Sequence, residues 1–417
     1  MTNMQALRLD RECRICKSTN IVTVMKLRDT PLGDQFVTKE QAQQSQPTFP
    51  LELAICESCG YVHLPYSVNP ELSYANYVYE SAVTVGLRNH FDAYANEMAK
   101  GFGIEAGSLI VDLGSNDGSM LSSFKRLGMK VLGVEPAKAI AERATYLGIP
   151  TISNYFTETV ASQIIGTYGK PAVITANYML ANIDDVVNFT KLVALLIERD
   201  GIFVIETGYH PEQMKVNMFD YIYHEHFSYF TAAVLKYLVE TAGFELIQLI
   251  KTAPKGGSIR AVSQLKGAHR AVDPAVTRTL KEEAEAKMND KTTYFKFAHE
   301  IDLRKQIALG KLREYKNQGK RLAGFGASHS TTTLIYHFEL REFLDYIVDD
   351  NPLKYGKFSP GYHIPVFPAS SLLEDKPDIV VILAWQHTQS ILQRHNDFLE
   401  ANGTFVVLLP EFKIFSA

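Results

Sequence analysis

The sequence predicts an α/β protein with a small cysteine-rich segment at the N-terminus and two successive α/β domains after it. Three observations carry this prediction. All four cysteines occur before residue 60, short apolar runs alternate with helix-length stretches between about residues 108 and 265, and the same alternation returns after residue 320. A chain of 417 residues is also longer than one hydrophobic core usually organises. We therefore predict domains at residues 1–75, 76–265 and 266–417.

The first segment contains two CxxC pairs. Each pair lets two thiolates reach one ion from a tight turn, and two pairs complete a tetrahedral shell. Such a closed shell leaves no open position for water, so the prediction is a structural Zn²⁺. Four free cysteines and a redox CxxC are the alternatives, the latter disfavoured because no thioredoxin-like βαβ context surrounds either pair. The predicted zinc ligands are Cys13, Cys16, Cys56 and Cys59.

The two later segments have the pattern of buried parallel strands. Fully apolar runs separated by helix-length stretches favour a parallel sheet covered on both faces. The polar stretch over residues 275–319 has interleaved charges and no proline after its start, which favours helices. The predicted strands of the second segment are SLIVDLG (108–114), KVLGVEP (130–136), AVITANY (172–178) and GIFVIETG (201–208). Those of the third are RLAGFGAS (321–328), FLDYIVDDNP (343–352), DIVVILAW (378–385) and TFVVLLP (404–410).

The stretch IVDLGSNDGSML (110–121) predicts a ligand site, because ligands bind at the carboxyl ends of strands in such sheets. A dinucleotide loop would read GxGxxG and present bare backbone to a pyrophosphate. Here acidic and amide side chains occupy that turn. Asp112 suits a ligand with an amino group, such as the amino-acid part of S-adenosylmethionine, and Glu135 ends the next strand, where a carboxylate can accept both ribose hydroxyls. A nucleotide or NAD site and an ordinary tight turn are the alternatives.

Asp112, Gly114 and Gly118 of this stretch, together with Glu135 after the next strand, resemble the motif of the class I S-adenosylmethionine-dependent methyltransferases. The resemblance implies a Rossmann-like fold for the central domain and S-adenosylmethionine as the cofactor. It also implies cofactor contacts at the end of the third strand. The cofactor-binding residues implied are Asp112, Gly114, Asn116, Gly118, Glu135 and Asn177.

A second cluster of polar residues, YIYHEHFSYF (221–230), follows the fourth predicted strand. Two histidines, a glutamate and several tyrosines are costly to bury without hydrogen-bond partners. Acid–base chemistry is favoured, because imidazole titrates near neutrality and a neighbouring carboxylate can tune it. A metal site is disfavoured, since adjacent residues of a strand point apart and the spacing is not HExxH. A structural hydrogen-bonded corner is the other alternative.

The order of these motifs resembles that of the sugar C-methyltransferases of the C-3′ type. The series runs from the CxxC pairs through Tyr77-x-Tyr79, DLGSNDG, YHEHFSYF and GGSIR (256–260) to GFGAS, VDDNP and SPGYHIPV (359–366). The resemblance implies methylation of C-3′ of a nucleotide-diphosphate-linked 4-keto-6-deoxy sugar through an enolate, in branched-sugar biosynthesis. It also implies that the third domain is a second Rossmann-like α/β domain that contributes to sugar-nucleotide binding.

The resemblance implies roles for individual residues. His226 is the general base, Glu225 and Tyr223 orient it or stabilise charge, and Tyr77 or Tyr79 lies near the transferred methyl group. The family's Asn-x-x-Ala-His loop reads Tyr-Met-Leu-Ala-Asn here, so one titratable active-site group is replaced by an amide. Backbone amides of GFGAS suit phosphate binding. The substrate-binding residues expected are Asn182, His224 and Lys354.

The composition limits the classes of partner. The chain is 46% hydrophobic and 21% charged with a net charge of −4, which gives no basic surplus for nucleic acid. No apolar run reaches bilayer length and the N-terminus lacks a secretory signal. We expect a cytoplasmic monomer whose partner is a nucleotide-linked keto-sugar, with no nucleic-acid or membrane partner. An O- or N-methyltransferase and a non-catalytic zinc-ribbon scaffold are the rival interpretations.

Overall fold

The computed structural model describes residues 6–69, 72 and 86–416, which form four β-sheets with helices between them. Two large sheets, of seven and six strands, belong to the central and C-terminal parts of the chain. Two smaller sheets belong mainly to the N-terminal part. No helix in the described ranges combines the length and the apolar composition that crossing a bilayer requires.

The N-terminal part is built on short antiparallel strands: β1 (Leu7–Leu9), β2 (Ile21–Lys26), β3 (Glu52–Cys56), β4 (Val62–His63) and β5 (Tyr66–Val68). Strands β1 and β5 form one pair, and β2, β3 and β4 form a meander. A distant strand, β11 (Ser228–Tyr229), completes this meander by pairing with β4. The N-terminal sheet therefore includes a strand that begins two residues after His226.

The central sheet consists of β6 (Leu109–Leu113), β7 (Lys130–Val134), β8 (Thr151–Ile152), β9 (Val173–Asn177), β10 (Ile202–Gly208), β12 (Phe244–Thr252) and β13 (Ser258–Leu265). Its order is β12-β13-β10-β9-β6-β7-β8. Strands β6 to β10 are parallel, whereas β12 and β13 form an antiparallel hairpin beside β10. The strand order reverses between β6 and β9, which is where open α/β sheets bind ligands.

The C-terminal sheet repeats this plan with β14 (Leu322–Phe325), β15 (Tyr346–Asp349), β16 (Val366–Pro368), β17 (Ile379–Ile382), β18 (Thr404–Val407) and β19 (Lys413–Phe415). Its order is β16-β15-β14-β17-β18-β19, and only β19 is antiparallel to its neighbour. The reversal of order lies between β14 and β17. The apolar runs predicted as strands all form strands, which confirms the predicted α/β architecture.

The helices lie between these strands, and several begin at residues that cap them. The Thr231 hydroxyl accepts the amide of Val234, and Asp273 accepts that of Ala275 just after a proline at the first helical position. The central helices are Leu87–Gly101, Ser119–Arg126, Lys138–Tyr146, Glu158–Tyr168, Val186–Leu196, His210–Lys215 and Ala232–Thr241. The later helices are Pro274–Glu285, Lys291–Asn317, His329–His337, Ser371–Asp375, Thr388–Arg394 and Asn396–Glu400.

The hydrophobic cores cross the predicted domain boundaries. Leu53 and Leu64 of the N-terminal sheet pack in one core with Phe219 and with the C-terminal sheet, whereas the buried thiols pack with the central sheet. The helix Pro274–Glu285 lies beyond the predicted boundary at residue 265, yet its Val276 packs in the core of the central sheet. The three domain ranges stay a prediction. Residues of the N-terminal part pack in the cores of both large sheets.

Candidate active site

The four cysteines form a compact thiol cluster. Cys13 Sγ lies 3.6 Å from Cys59 Sγ, Cys16 Sγ lies 3.6 Å from Cys56 Sγ, and all four sulfurs lie within 4.8 Å of one another. Zn–S bonds of about 2.3 Å in a tetrahedron place sulfurs about 3.8 Å apart, so the cluster fits zinc. Gly60, with φ of 75°, closes the second turn by donating its amide to Cys56 O.

A large cavity of about 1460 Å³ lies between the carboxyl edges of the two large sheets, and none of the four cysteines lines it. One wall is the reversal point of the central sheet and the opposite wall is that of the C-terminal sheet. The segment of residues 221–227 forms a third wall. The residues that the sequence predicted as site residues and that line this cavity are Asp112, Gly114, Asn116, Glu135, Asn177, Asn182, Tyr223, Glu225 and His226.

Asp112 is held rigidly at the end of β6. Its Oδ1 accepts hydrogen bonds from Thr175 Oγ1 at 2.6 Å and from Asn177 Nδ2 at 3.2 Å, so the residue links the two strands that flank the reversal point. Burial raises the pKa of Asp112 to about 7, against the lowering effect of these two hydrogen bonds. A buried carboxylate here offers one strong acceptor to a cationic group in the cavity.

Glu135 is fixed in a comparable way just after β7. Its two carboxylate oxygens accept the backbone amides of Asn116, at 3.0 Å, and Ala137, at 2.8 Å. Burial raises the pKa of Glu135, and the two amides partly offset that effect. The turn between Asp112 and Glu135 needs glycine at Gly114, where φ is 70° and an added Cβ would lie 3.0 Å from Met179. These two carboxylates at adjacent strand ends fit the amino and ribose groups of S-adenosylmethionine.

Gly118 is not a cavity residue. It precedes the helix Ser119–Arg126 with φ of 76°, its amide donates to Ser115 O at 3.0 Å, and an added Cβ would lie 3.0 Å from Ile149. Its role in the structure is to shape the turn and to let the helix pack closely, and it does not line the cavity in which the sequence predicted a cofactor contact for it.

His226 stands on the third wall of the cavity, which residues 221–227 form. Its Nδ1 lies 3.2 Å from Tyr221 O and its Nε2 lies 2.9 Å from the Tyr223 hydroxyl. A carbonyl can only accept, so Nδ1 carries the proton and Nε2 keeps its lone pair toward Tyr223. Burial, followed by the nearby Lys255 ammonium, lowers the pKa of His226 to about 3. The imidazole is therefore neutral at physiological pH, with Nε2 unprotonated.

The Glu225 carboxylate, predicted to orient His226 or to stabilise charge, forms an ion pair with a residue distant in the chain. Its Oε1 lies 3.7 Å from His329 Nε2, so its charge is met by the third domain rather than by His226 alone. Burial would raise the pKa of Glu225, but His329 and then His224 outweigh burial and lower it. Glu225 is thus an ionised, buried carboxylate next to His226 in the chain.

Two predicted substrate-binding residues do not line the cavity. His224 is buried with its Nε2 3.3 Å from Phe49 O and its ring edge-on to Phe49, so it secures the N-terminal part. Lys354 forms an ion pair with Asp34 and lies 4.0 Å above the Phe36 ring. Their side chains are engaged with the protein itself, which corrects both predictions. Tyr77 and Tyr79 lie outside the described residues.

A polar network centred on the buried Glu206 reaches the cavity through His90 and Tyr178, and the sequence did not predict it. Glu206, at the end of β10, accepts the Tyr178 hydroxyl at 2.7 Å and Arg260 Nε at 2.6 Å, and it also contacts His90. Burial would raise the pKa of Glu206, and His90 and Arg260 outweigh it. Glu206 was part of a predicted strand end and could have been suspected, whereas nothing marked His90 on its helix.

The third domain contributes a second set of unpredicted residues. Ser328, His329 and Ser330 follow β14, and Trp385 and His387 follow β17, so all of them lie at the reversal point of the C-terminal sheet. The GFGAS motif predicted ligand contacts from its backbone amides alone. The rule that ligands meet the carboxyl ends of strands would have pointed to the side chains that follow it.

Comparisons with known proteins agree with this arrangement. Family models match in chain order: a zinc binding domain at residues 13–74, a methyltransferase domain at 88–249 and a C-methyltransferase C-terminal domain at 253–410. The chain is 30% identical over 411 residues to the C-methyltransferase NovU of Streptomyces niveus, and the match covers 97% of each protein.

Two solved structures that are similar to this chain each match under half of it. The CcbJ methyltransferase of Streptomyces caelestis is 14% identical, with 47% of this chain and 95% of that chain covered and a TM-score of 0.34. An S-adenosylmethionine-dependent methyltransferase of Clostridium acetobutylicum is 9% identical, with 45% and 94% covered and a TM-score of 0.35. TM-scores this low do not establish that either structure shares the fold of this chain.

The family match therefore rests on the relative that spans nearly the whole chain and on the three consecutive models. The predicted class I methyltransferase domain, the S-adenosylmethionine cofactor and the zinc site are confirmed, and the non-catalytic scaffold is excluded. The chain belongs to the C-methyltransferase family and is an S-adenosylmethionine-dependent methyltransferase with a structural zinc site in its N-terminal domain.

Proposed function

We propose that this enzyme methylates C-3′ of a nucleotide-diphosphate-linked 4-keto-6-deoxy sugar, in the biosynthesis of a branched sugar. The observation that carries this proposal is the neutral, half-buried imidazole of His226, whose Nε2 keeps its lone pair in the cavity shared by both large sheets. Transfer to carbon requires a base that first creates the nucleophile, and a neutral histidine supplies one.

The chemistry begins with the C-3′ hydrogen, which the neighbouring ketone acidifies because the resulting carbanion delocalises as an enolate. His226 Nε2 accepts that proton. The Tyr223 hydroxyl, displaced from Nε2 by the substrate, donates instead to the enolate oxygen. Bound S-adenosylmethionine supplies an electrophilic methyl group: the new C–C bond forms as the methyl–sulfur bond breaks and the neutral thioether leaves. Glu225 stabilises the imidazolium that His226 becomes.

The same proposal assigns the walls of the cavity. Asp112 binds the cofactor's amino group, and Glu135 accepts hydrogen bonds from its ribose hydroxyls. Asn177 holds Asp112 in place by donating a hydrogen bond to its carboxylate. The sugar lies between His226 and Asn182, and the nucleotide extends to the carboxyl edge of the C-terminal sheet. The volume of the cavity, about 1460 Å³, is large enough for two such ligands at once.

The test is product analysis on a panel of 4-keto-6-deoxy sugars linked to thymidine or guanosine diphosphate, with ¹³C-methyl-labelled cofactor. We expect a methyl resonance coupled to a quaternary sugar carbon at C-3′. In D₂O with S-adenosylhomocysteine in place of the cofactor, we expect the C-3′ hydrogen to exchange faster than without enzyme. A labelled methyl on oxygen or nitrogen, with no exchange at C-3′, would refute the proposal.

The pH dependence follows from His226. An imidazole whose pKa lies at about 3 stays unprotonated throughout the range from pH 5 to 8, so His226 should impose no acid limb there. We expect kcat/KM for the sugar, measured at saturating cofactor, to show no loss of the base between pH 7 and pH 5. The cofactor must be saturating because the pKa of Asp112 is raised to about 7. Protonation of that carboxylate between pH 7 and pH 5 would weaken cofactor binding. A limb near pH 6.5 at saturating cofactor would contradict this assignment.

A further inference from the structure

His329 lies at a meeting point of all three parts of the chain. It is the first residue of the helix His329–His337, after β14 of the C-terminal sheet. Its Nε2 lies 3.7 Å from Glu225 Oε1 and its Nδ1 lies 3.9 Å from Asp34 Oδ2 in the N-terminal part. At these distances the two contacts are ion pairs and not hydrogen bonds, and they attract the ring only if it is an imidazolium.

The surroundings of His329 favour this charged form. Burial opposes protonation, but Glu225 and then Asp34 outweigh it and raise the pKa of His329, while Lys354 acts against them. Lys354 is itself paired with Asp34, so Asp34 carries two cationic neighbours and Glu225 depends on His329. The Tyr223 ring lies 5.4 Å from the His329 ring, between centroids. His329 therefore also contacts the tyrosine that is hydrogen-bonded to the proposed base, His226.

The segment that carries His226 is docked on the same helix. The Thr333 hydroxyl donates to Ile222 O at 2.9 Å, and the Phe219 ring stacks on Phe338 with centroids 5.1 Å apart. Trp385 Nε1, from the loop after β17, donates to the buried Asp220 carboxylate at 3.1 Å. Residues 219–226 lie between β10 and β12 of the central sheet in sequence, yet Phe219, Asp220 and Ile222 contact the third domain.

We infer that His329 is a positioning residue for methyl transfer: as an imidazolium it holds the Glu225 carboxylate ionised and in place beside His226, so the third domain sets the geometry of the proposed base. The inference rests on the proposed role of His226 for its kinetic consequences. It extends the third domain's part in the reaction from holding substrate to organising the acid–base groups. Without the cation, the buried Glu225 either takes up a proton or moves toward water, and the imidazolium of His226 loses its counter-charge.

The kinetic test compares His329→Gln with His329→Lys at saturating cofactor. We expect the glutamine variant to lower kcat about tenfold or more with KM for the sugar changed less than about threefold, because a neutral amide cannot balance Glu225. The lysine variant keeps a cation and should recover most of that loss. It should also move any alkaline limb of kcat to higher pH, since lysine loses its proton at a higher pH than histidine.

Thr333→Val is the matched control, because it removes an uncharged tie between the same helix and the same segment. Lower stability with an unchanged pH profile of kcat is the expected result for this variant. If the loss of kcat is the same in Thr333→Val, His329→Gln and His329→Lys, His329 serves only to dock the segment, and the inference is overturned.

A readout without turnover separates this inference from the proposed function. In ¹⁵N-histidine NMR of the full chain, Glu225→Gln should lower the pKa of His329, because that carboxylate raises it. An unchanged His329 titration in Glu225→Gln would overturn the inference even if the enzyme methylates carbon as proposed. A lowered one supports the charge pair even if the methyl acceptor proves to be different.

Discussion

His226→Gln is expected to lower kcat for methyl transfer about 10²- to 10⁴-fold while leaving the affinity for S-adenosylmethionine unchanged. Glutamine can keep a hydrogen bond near Tyr221 O or Tyr223, but it has no lone pair basic enough to take a proton from carbon. Asp112 and Glu135 are held by hydrogen bonds to other residues, none of which is His226, so the proposed cofactor site does not depend on this side chain. Calorimetric titration with the cofactor and single-turnover methyl transfer measure the two quantities separately.

The neighbouring His224→Gln is a suitable control, because His224 is buried against Phe49 and does not line the cavity. It should lower the melting temperature through a weaker contact with Phe49 O, whereas kcat of the folded enzyme stays within about threefold of the parent. Deuterium exchange at C-3′ should persist in this control and vanish in His226→Gln. If His226→Gln transfers the methyl group with the kcat of the parent enzyme, His226 is not the base.

Cys56→Ser is expected to lose stoichiometric zinc and to lower the free energy of unfolding by about 4 kcal/mol or more. Cys56 is fully buried and its sulfur lies 3.6 Å from that of Cys16. A serine hydroxyl is a poor zinc ligand, so the variant leaves three thiols around an incomplete shell in the core. Metal analysis of the purified protein and chemical denaturation give the two measurements.

Ser58→Ala is the control within the same turn. Ser58 bonds to Ser18 at 2.8 Å between the two CxxC turns but offers no ligand to the metal. Its variant should retain one zinc per chain and lose less than about 1 kcal/mol. Zinc content equal to the parent's in Cys56→Ser would contradict the four-thiolate site.

The strands and the metal site could be predicted from sequence because their signals are local. An apolar run between turn residues predicts a buried strand wherever its partners lie, and a CxxC pair predicts two ligands from one turn. The same locality explains why the cofactor wall was found: Asp112, Gly114 and Glu135 all belong to one strand–turn–helix–strand unit.

The opposite walls of the cavity depend on contacts between distant segments, which a single sequence does not encode locally. Glu225 was expected to act through the adjacent His226, yet its ion pair is with His329, more than a hundred positions later. Lys354 has the character of a phosphate ligand in the sequence, but it pairs with Asp34, which nothing in the sequence places nearby. Such pairings depend on how the three parts dock, not on periodicity.

The pairing of β11 with β4 has a consequence for the order in which the parts of the chain fold during synthesis. Until Ser228 and Tyr229 have been translated, β4 presents an open edge of unpaired amides and carbonyls, although all four zinc ligands are already available. The nascent N-terminal part can therefore load its metal early, but it must wait for the middle of the chain before its sheet is sealed. A fragment that ends at residue 75 should bind zinc and still aggregate through this edge.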